Sequence, residues 1–183
     1  MKNYTSYDLI EWGKPFEKSQ HALPEPTLSE VLIRVTAAGL CHSDLHVQKG
    51  YMDLGEEGRL TFADRGAQLP MTFGHEIAGI VEAIGDKVKN VSIGQQVIVF
   101  PWIGCGDCLA CNEDRESDCS AMRIIGLKQK GGFATHCLIE NEKFLVNIDG
   151  LDAAEVVHHA CSGITVYNAC LLYTSDAADD VIS

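Results

Sequence analysis

Apolar and polar positions alternate over residues 30–37, EVLIRVTA, and the alternation ends at Gly39, which predicts a half-buried strand running into a turn. Similar short stretches recur downstream: IAGIVEAIG at 77–85, VSIGQQVIVF at 91–100, GGFATHCLI at 131–139 and KFLVNI at 143–148. Pro24 and Pro26 mark the loop before the first of them. Residues 51–69 are polar, contain glycine and hold no period, so they read as a loop bordering a substrate entrance. Residues 151–157, LDAAEVV, start a helix, with Asp149 or Asp152 as its cap. Many short strands punctuated by glycine predict a mainly β fold with short helices, arranged as a barrel rather than a helical bundle.

A chain of 183 residues is long enough for one sizeable core, or for one domain and the beginning of another. Hydrophobic residues make up 46% and charged residues 22%, as in ordinary globular proteins. No apolar run approaches the ~18 residues of a membrane span, and residues 1–10 are too polar for a secretory leader. The expected location is therefore cytoplasmic, where eight cysteines serve more naturally as metal ligands than as disulfides. The formal charge of -12 argues against a nucleic-acid face or an anionic membrane surface.

The chemistry is concentrated in four places. Cys105, Cys108, Cys111 and Cys119 lie within PWIGCGDCLACNEDRESDC, where short gaps let one turn deliver several sulfurs to one tetrahedral ion. Four thiolates would close the shell and leave no position for substrate, so this is a structural zinc site; the bland alternative, free core thiols or disulfides, fits poorly with a segment so rich in Gly, Asp and Asn. GLCHSDLHVQKG at 39–50 gathers Cys41, His42, Ser43, Asp44 and His46, which could supply a metal ligand, a proton-passing hydroxyl, an orienting carboxylate and a base. Alone, a buried Cys is usually core and an Asp after Ser usually a helix cap. Gly74, His75 and Glu76 precede a strand, a placement that suits a ligand with a carboxylate behind it, although a single such His is more often a hydrogen-bonded structural residue. Cys161, in HHACSGITVYNAC, is the last candidate ligand.

Together, residues 39–46, 74–76, the four-cysteine loop and ACSGITVY at 160–167 resemble the zinc-dependent medium-chain alcohol dehydrogenases, over a match running from the N-terminus to about Ala169. The resemblance implies a GroES-like, partly open β-barrel over 1–157, with 158–169 beginning the junction to an α/β (Rossmann) nucleotide-binding domain. It implies two zinc ions: a catalytic one held by Cys41, His75 and Cys161, and a structural one held by Cys105, Cys108, Cys111 and Cys119. It assigns Ser43 and His46 to a proton relay, Asp44 to orienting the ligand histidine, Glu76 to the carboxylate behind the metal, His42 to the cofactor pyrophosphate and Trp102 to the substrate pocket. For Trp102 a plain core aromatic is an equal alternative. The implied reaction is oxidation of a small-molecule alcohol to an aldehyde or ketone with hydride transfer to NAD or NADP, in a parent that is a homodimer or homotetramer. A sugar, polyol or threonine dehydrogenase of the same superfamily, or a non-catalytic zinc-stabilised binding module, are the competing readings.

Three departures qualify the resemblance. No G-x-G-x-x-G turn follows Cys161, so the chain is expected to be a truncated catalytic domain that does not turn over. Residues 170–183, opening CLLYTSDAADD, read as a non-native, sequencing-adapter-like tail, which removes Cys170 from the ligand set. His158 and His159 stand where the family has an apolar pair.

Overall fold

The computed structural model describes residues 2–113 and 115–176. In chain order the elements are β1 (Asn3–Leu9), β2 (Glu17–Ala22), β3 (Val31–Gly39), α1 (His42–Lys49), β4 (Tyr51–Asp53), β5 (Arg59–Thr61), β6 (Met71–Thr72), β7 (Glu76–Ile84), β8 (Gln96–Val99) and β9 (Trp102–Ile103). They continue with α2 (Leu109–Asn112), β10 (Arg123–Ile124), β11 (His136–Ile139), β12 (Leu145–Asn147), α3 (Ala153–Val156) and α4 (Ser162–Asp176). The fold is mainly β with short helices, as the spacing of apolar residues predicts.

The alternating stretches become the five strands of a sheet in the order β11-β3-β7-β8-β12. Val31, Ile33, Ile77, Val81, Val97 and Val99 turn inward from β3, β7 and β8 and are fully buried. β1, β2 and β6 form a second, three-stranded sheet, and two small hairpins, β4-β5 and β9-β10, stand outside both. The two larger sheets meet where Tyr7 donates to the Phe133 carbonyl at 2.8 Å, and no closed barrel forms among the described residues. A second apolar cluster, Leu9, Val47, Phe62, Ala67 and Phe73, ties α1 and the 51–69 segment to the smaller sheet.

One detail differs from the sequence reading and two extend it. Residues 51–69 are not a plain loop: Tyr51 pairs with Thr61, Met52 with Leu60 and Asp53 with Arg59, and the Arg59 guanidinium lies 4.4 Å from the centre of the Tyr51 ring. Of the two candidate caps, Asp152 accepts from the Ala154 amide at 2.8 Å, while Asp149 accepts from the Gln96 amide at 2.8 Å and so braces β8. α4 runs through the boundary expected at 169/170, and the part of the proposed tail beyond Asp176 lies outside the described residues.

Candidate metal centres and the chamber beside them

The β3–β7 ladder assembles the first site. Its last pair sets Gly39 opposite Glu76, so Cys41, two residues past the end of β3, faces His75, one residue before β7. The strands can close this tightly only because residue 39 lacks a side chain: a Cβ there would lie 2.1 Å from Glu76 Oε2. Gly74 serves similarly on the other flank, with φ near 90° and the Phe133 ring where a Cβ would stand. Cys161 arrives from the helical turn after α3, which packs on β7.

Cys41, His75 and Cys161 offer ligand atoms that all lie within 4.8 Å of one another. Cys41 Sγ and Cys161 Sγ are 3.9 Å apart. Two sulfurs on one tetrahedral zinc with bonds of ~2.3 Å would stand about 3.8 Å apart, so the pair is already at ligand spacing. Asp44 Oδ1 lies 3.3 Å from His75 Nδ1, and Asp44 Oδ2 accepts from the Cys41 amide at 2.9 Å. One buried carboxylate therefore closes the N-terminus of α1 and fixes the imidazole with its proton on Nδ1, leaving the Nε2 lone pair for a metal. Burial disfavours protonation of His75, but the Asp44 hydrogen bond and charge outweigh it and raise its pKa.

The two thiols differ sharply. Burial pushes Cys41 up, yet hydrogen bonds from the Ser43 side chain and backbone, with His75, hold it below the ordinary thiol value. Cys161 is pushed up to about 12, first by burial and then by the neighbouring Cys41. A second thiolate beside the first is unfavourable until a cation compensates both, so metal binding would release a proton here. Behind the ligands, Glu76 Oε1 accepts from the Ser162 amide at 3.4 Å and hydroxyl at 3.3 Å. Ser162 was not singled out in the sequence, although it directly follows Cys161.

Of the remaining residues named from sequence, Ser43 Oγ stands 3.3 Å from His75 Nε2, on the ligand side of the ring. His46 lies three residues further along α1, on the same face, with its ring centre 4.8 Å from that of the exposed His42.

Cys105, Cys108, Cys111 and Cys119 form a second group within the same 4.8 Å limit. Cys105 Sγ and Cys111 Sγ are 3.9 Å apart, again at tetrahedral ligand spacing, and the Cys105 amide donates to Cys119 Sγ at 3.3 Å. That amide is the main reason the Cys119 thiol sits at about 7, whereas hydrogen bonding with Asp107 pushes Cys105 up to about 12. Arg115 clamps the loop by bonding Glu113 at 2.6 Å and Asp118 at 2.7 Å. Cys170 is exposed and outside both groups, and so are His158 and His159, whose rings are tilted by 46° with centres 4.1 Å apart.

A cavity of about 280 Å³ opens from the first site between Ser43, His75 and Cys161. Met52 from β4 and Phe62, just past β5, line it together with Trp102, Ile124 and Leu127. Trp102 is thus a wall residue of this chamber, braced by Phe100 with ring centres 5.3 Å apart.

A three-ligand group and a four-thiol loop thus sit together on one mainly β fold. Residues 27–150 match the alcohol dehydrogenase GroES-like domain, and the chain belongs to that family. It is 40% identical over 162 residues to an NAD-dependent alcohol dehydrogenase of Sulfurisphaera tokodaii, covering 88% of this chain and 45% of that protein. It is 32% identical over 177 residues to the D-arabinose 1-dehydrogenase (NADP(+)) of Saccharolobus solfataricus, covering 95% and 48%. Among solved structures, the cobalt- and zinc-bound thermostable alcohol dehydrogenase of Pyrobaculum aerophilum superposes with a TM-score of 0.78 at 25% identity, over 96% of this chain and 49% of that one. The chain spans about half the length of the curated relatives it matches.

Proposed function

We propose that this chain is the catalytic domain, residues 1–157 with the start of a junction at 158–169, of a zinc-dependent alcohol dehydrogenase linked to NAD or NADP. The observation that carries the reading is the open group Cys41, His75 and Cys161, with Ser43 Oγ on its ligand side and an apolar chamber in front. Zinc held there would supply the Lewis acidity that makes an alcohol hydroxyl a far better proton donor than in water. The chain's own residues then divide the work. Ser43 accepts the hydroxyl proton and passes it along the face of α1 toward His46 and solvent. Asp44 keeps His75 in one tautomer, and Glu76 holds the Cys161–Ser162 turn against the start of β7. His42, exposed at the start of α1, is placed to meet a cofactor phosphate, and hydride transfer belongs to the nicotinamide.

The four-cysteine loop is assigned the second, structural zinc, in a cytoplasmic parent that assembles as a homodimer or homotetramer and supplies the nucleotide-binding domain. Residues 170–183 are assigned to a non-native tail. The similarity to a D-arabinose dehydrogenase supports a second reading, a sugar dehydrogenase with the same metal sites.

Metal counting tests the two-site assignment. Two zinc ions per chain are expected, with His75→Ala losing one and Cys105→Ser the other; a single zinc indifferent to His75→Ala overturns the catalytic assignment.

A further inference from the structure

Residues of β1, β2 and β11 border a separate cavity of about 430 Å³ that shares no lining residue with the chamber at the metal centre. Three polar side chains converge in it. Lys130 Nζ donates to Tyr4 Oη at 3.4 Å and faces His21 Nδ1 at 3.3 Å. An ammonium group only donates, so His21 Nδ1 accepts, and the ring proton on Nε2 is left for Asp8 Oδ2 at 3.0 Å. The imidazole therefore stands between Lys130 and the buried Asp8 carboxylate. Two of the three Lys130 N–H groups are spent on neutral acceptors, and among the described residues no carboxylate reaches the third. Tyr4 is 8% exposed, and its hydroxyl proton has no acceptor among the described residues. The other polar groups of the wall are engaged: Glu140 by Arg123 at 2.7 Å and Gln129 at 3.0 Å, Glu30 by the Thr27 amide at 2.8 Å, and His136 by Glu82 at 3.3 Å.

We infer that this cavity binds a small organic monocarboxylate, its head group held by the Lys130 ammonium and the Tyr4 hydroxyl and its apolar body lying along Ala22, Pro24 and Leu138. Two unspent donors side by side call for an acceptor with two oxygens, and hydrogen bonds from an ammonium and a phenol to a carboxylate are of the strong, charge-assisted kind. Tyr4 can serve as the second donor because burial, with Asp8 and Cys137 nearby, raises its pKa and keeps the phenol protonated at neutral pH. Glu30 and Glu140 on the same wall oppose a phosphate dianion more than a single charge. A dry cavity of roughly 150 Å³ holds benzene, so about 430 Å³ takes benzoate or a six- to eight-carbon acid. With a net charge of -12 opposing any anion, the dissociation constant is expected in the millimolar range. The site uses neither metal group and stands apart from the dehydrogenase reading.

The test is a titration of the zinc-loaded chain with sodium hexanoate, at ionic strength held constant with NaCl, followed residue by residue in amide NMR spectra. Saturable shifts are expected at Ala22, Lys130 and Leu138. Shifts confined to residues around His75 and Cys161 would put the carboxylate on the metal and overturn the proposal, as would the absence of saturable shifts at roughly 50 mM hexanoate. Lys130→Met and Tyr4→Phe are each expected to weaken binding about five- to tenfold, while Lys130→Arg, which keeps the cation, stays within about threefold of wild type. Lys130 is exposed, so its variants test the site even should Tyr4→Phe misfold. Unchanged affinity in the Lys130→Met chain overturns the site. Hexanamide binding as tightly as hexanoate overturns the requirement for an anion, and hexyl phosphate binding more tightly overturns the single-charge class.

Discussion

Asp44 is the residue on which the first site turns, because one carboxylate serves two elements. Oδ2 holds the Cys41 amide and Oδ1 faces His75 Nδ1, so a helix cap and a ligand tautomer share a side chain that is 3% exposed. Asp44→Asn keeps the cap oxygen but can present an amide N–H where His75 needs an acceptor. Metal affinity at this site is expected to fall about 10- to 100-fold, measured by competition with a chelator, while the four-cysteine loop retains its ion. The sequence made Asp44 visible as a cap or an orienter, and in the structure its two oxygens meet the Cys41 amide and His75 Nδ1. What could not be read was Ser162 behind Glu76, since its role depends on a turn folding back across 86 residues to meet β7.

Elements differ in how much of them the sequence reveals, and the reason is range. The four-cysteine loop is local, all its ligands lie within fifteen residues, and its spacing alone delivers the geometry. The open site needs the β3–β7 register to bring Cys41 to His75, which motif resemblance can suggest but periodicity cannot. The β4-β5 hairpin was read as a loop because its strands are three residues long and polar outside; only the isolated Met52 and Phe62 signalled a buried face. For the loop itself, Cys105→Ser should leave the open site loaded while unfastening 105–119 from β9. Loss of a metal site belongs at the large end of single-substitution effects, about 3 kcal/mol, so the thermal midpoint should drop by roughly 6–12 °C in calorimetry.

The three-stranded sheet carries a different dependence. Asp8 is buried between strands, accepting from Thr72 Oγ1 at 2.6 Å and lying 3.0 Å from His21 Nε2. Burial alone would raise its pKa, but the hydrogen bonds from Thr72, Ser6, Ser19 and His21 outweigh that and hold it below the usual carboxylate value. A carboxylate depressed in the folded state stabilises fully above its unfolded pKa of about 3.9, and the contribution disappears as pH falls through the lower folded value. Urea midpoints should therefore decline below pH ~4 in the wild type, and Asp8→Asn should be less stable at pH 7 with a shallower acid decline; parallel curves would remove Asp8 from the account.

At the scale of the whole molecule, surface charge and an exposed apolar helix act against each other. α4 leaves Val166, Tyr167, Leu171 and Tyr173 between 48% and 79% exposed, a row of large apolar side chains along one element. Such patches drive association, whereas a net charge of -12 keeps copies apart. The balance is set by ionic strength: at 0.01 M the Debye length is about 30 Å, and at 1 M it is about 3 Å, so added salt removes the repulsion and leaves the apolar attraction in place. Light scattering should show the chain more dispersed at low salt and self-associating as NaCl rises. Val166→Glu with Tyr167→Glu should abolish that rise, because the pair adds charge and removes apolar surface at the same place, whereas removing charge elsewhere, as in Glu56→Gln with Glu57→Gln, should lower the salt needed. Association that rises with salt equally in the α4 variant would locate the attractive surface outside this helix.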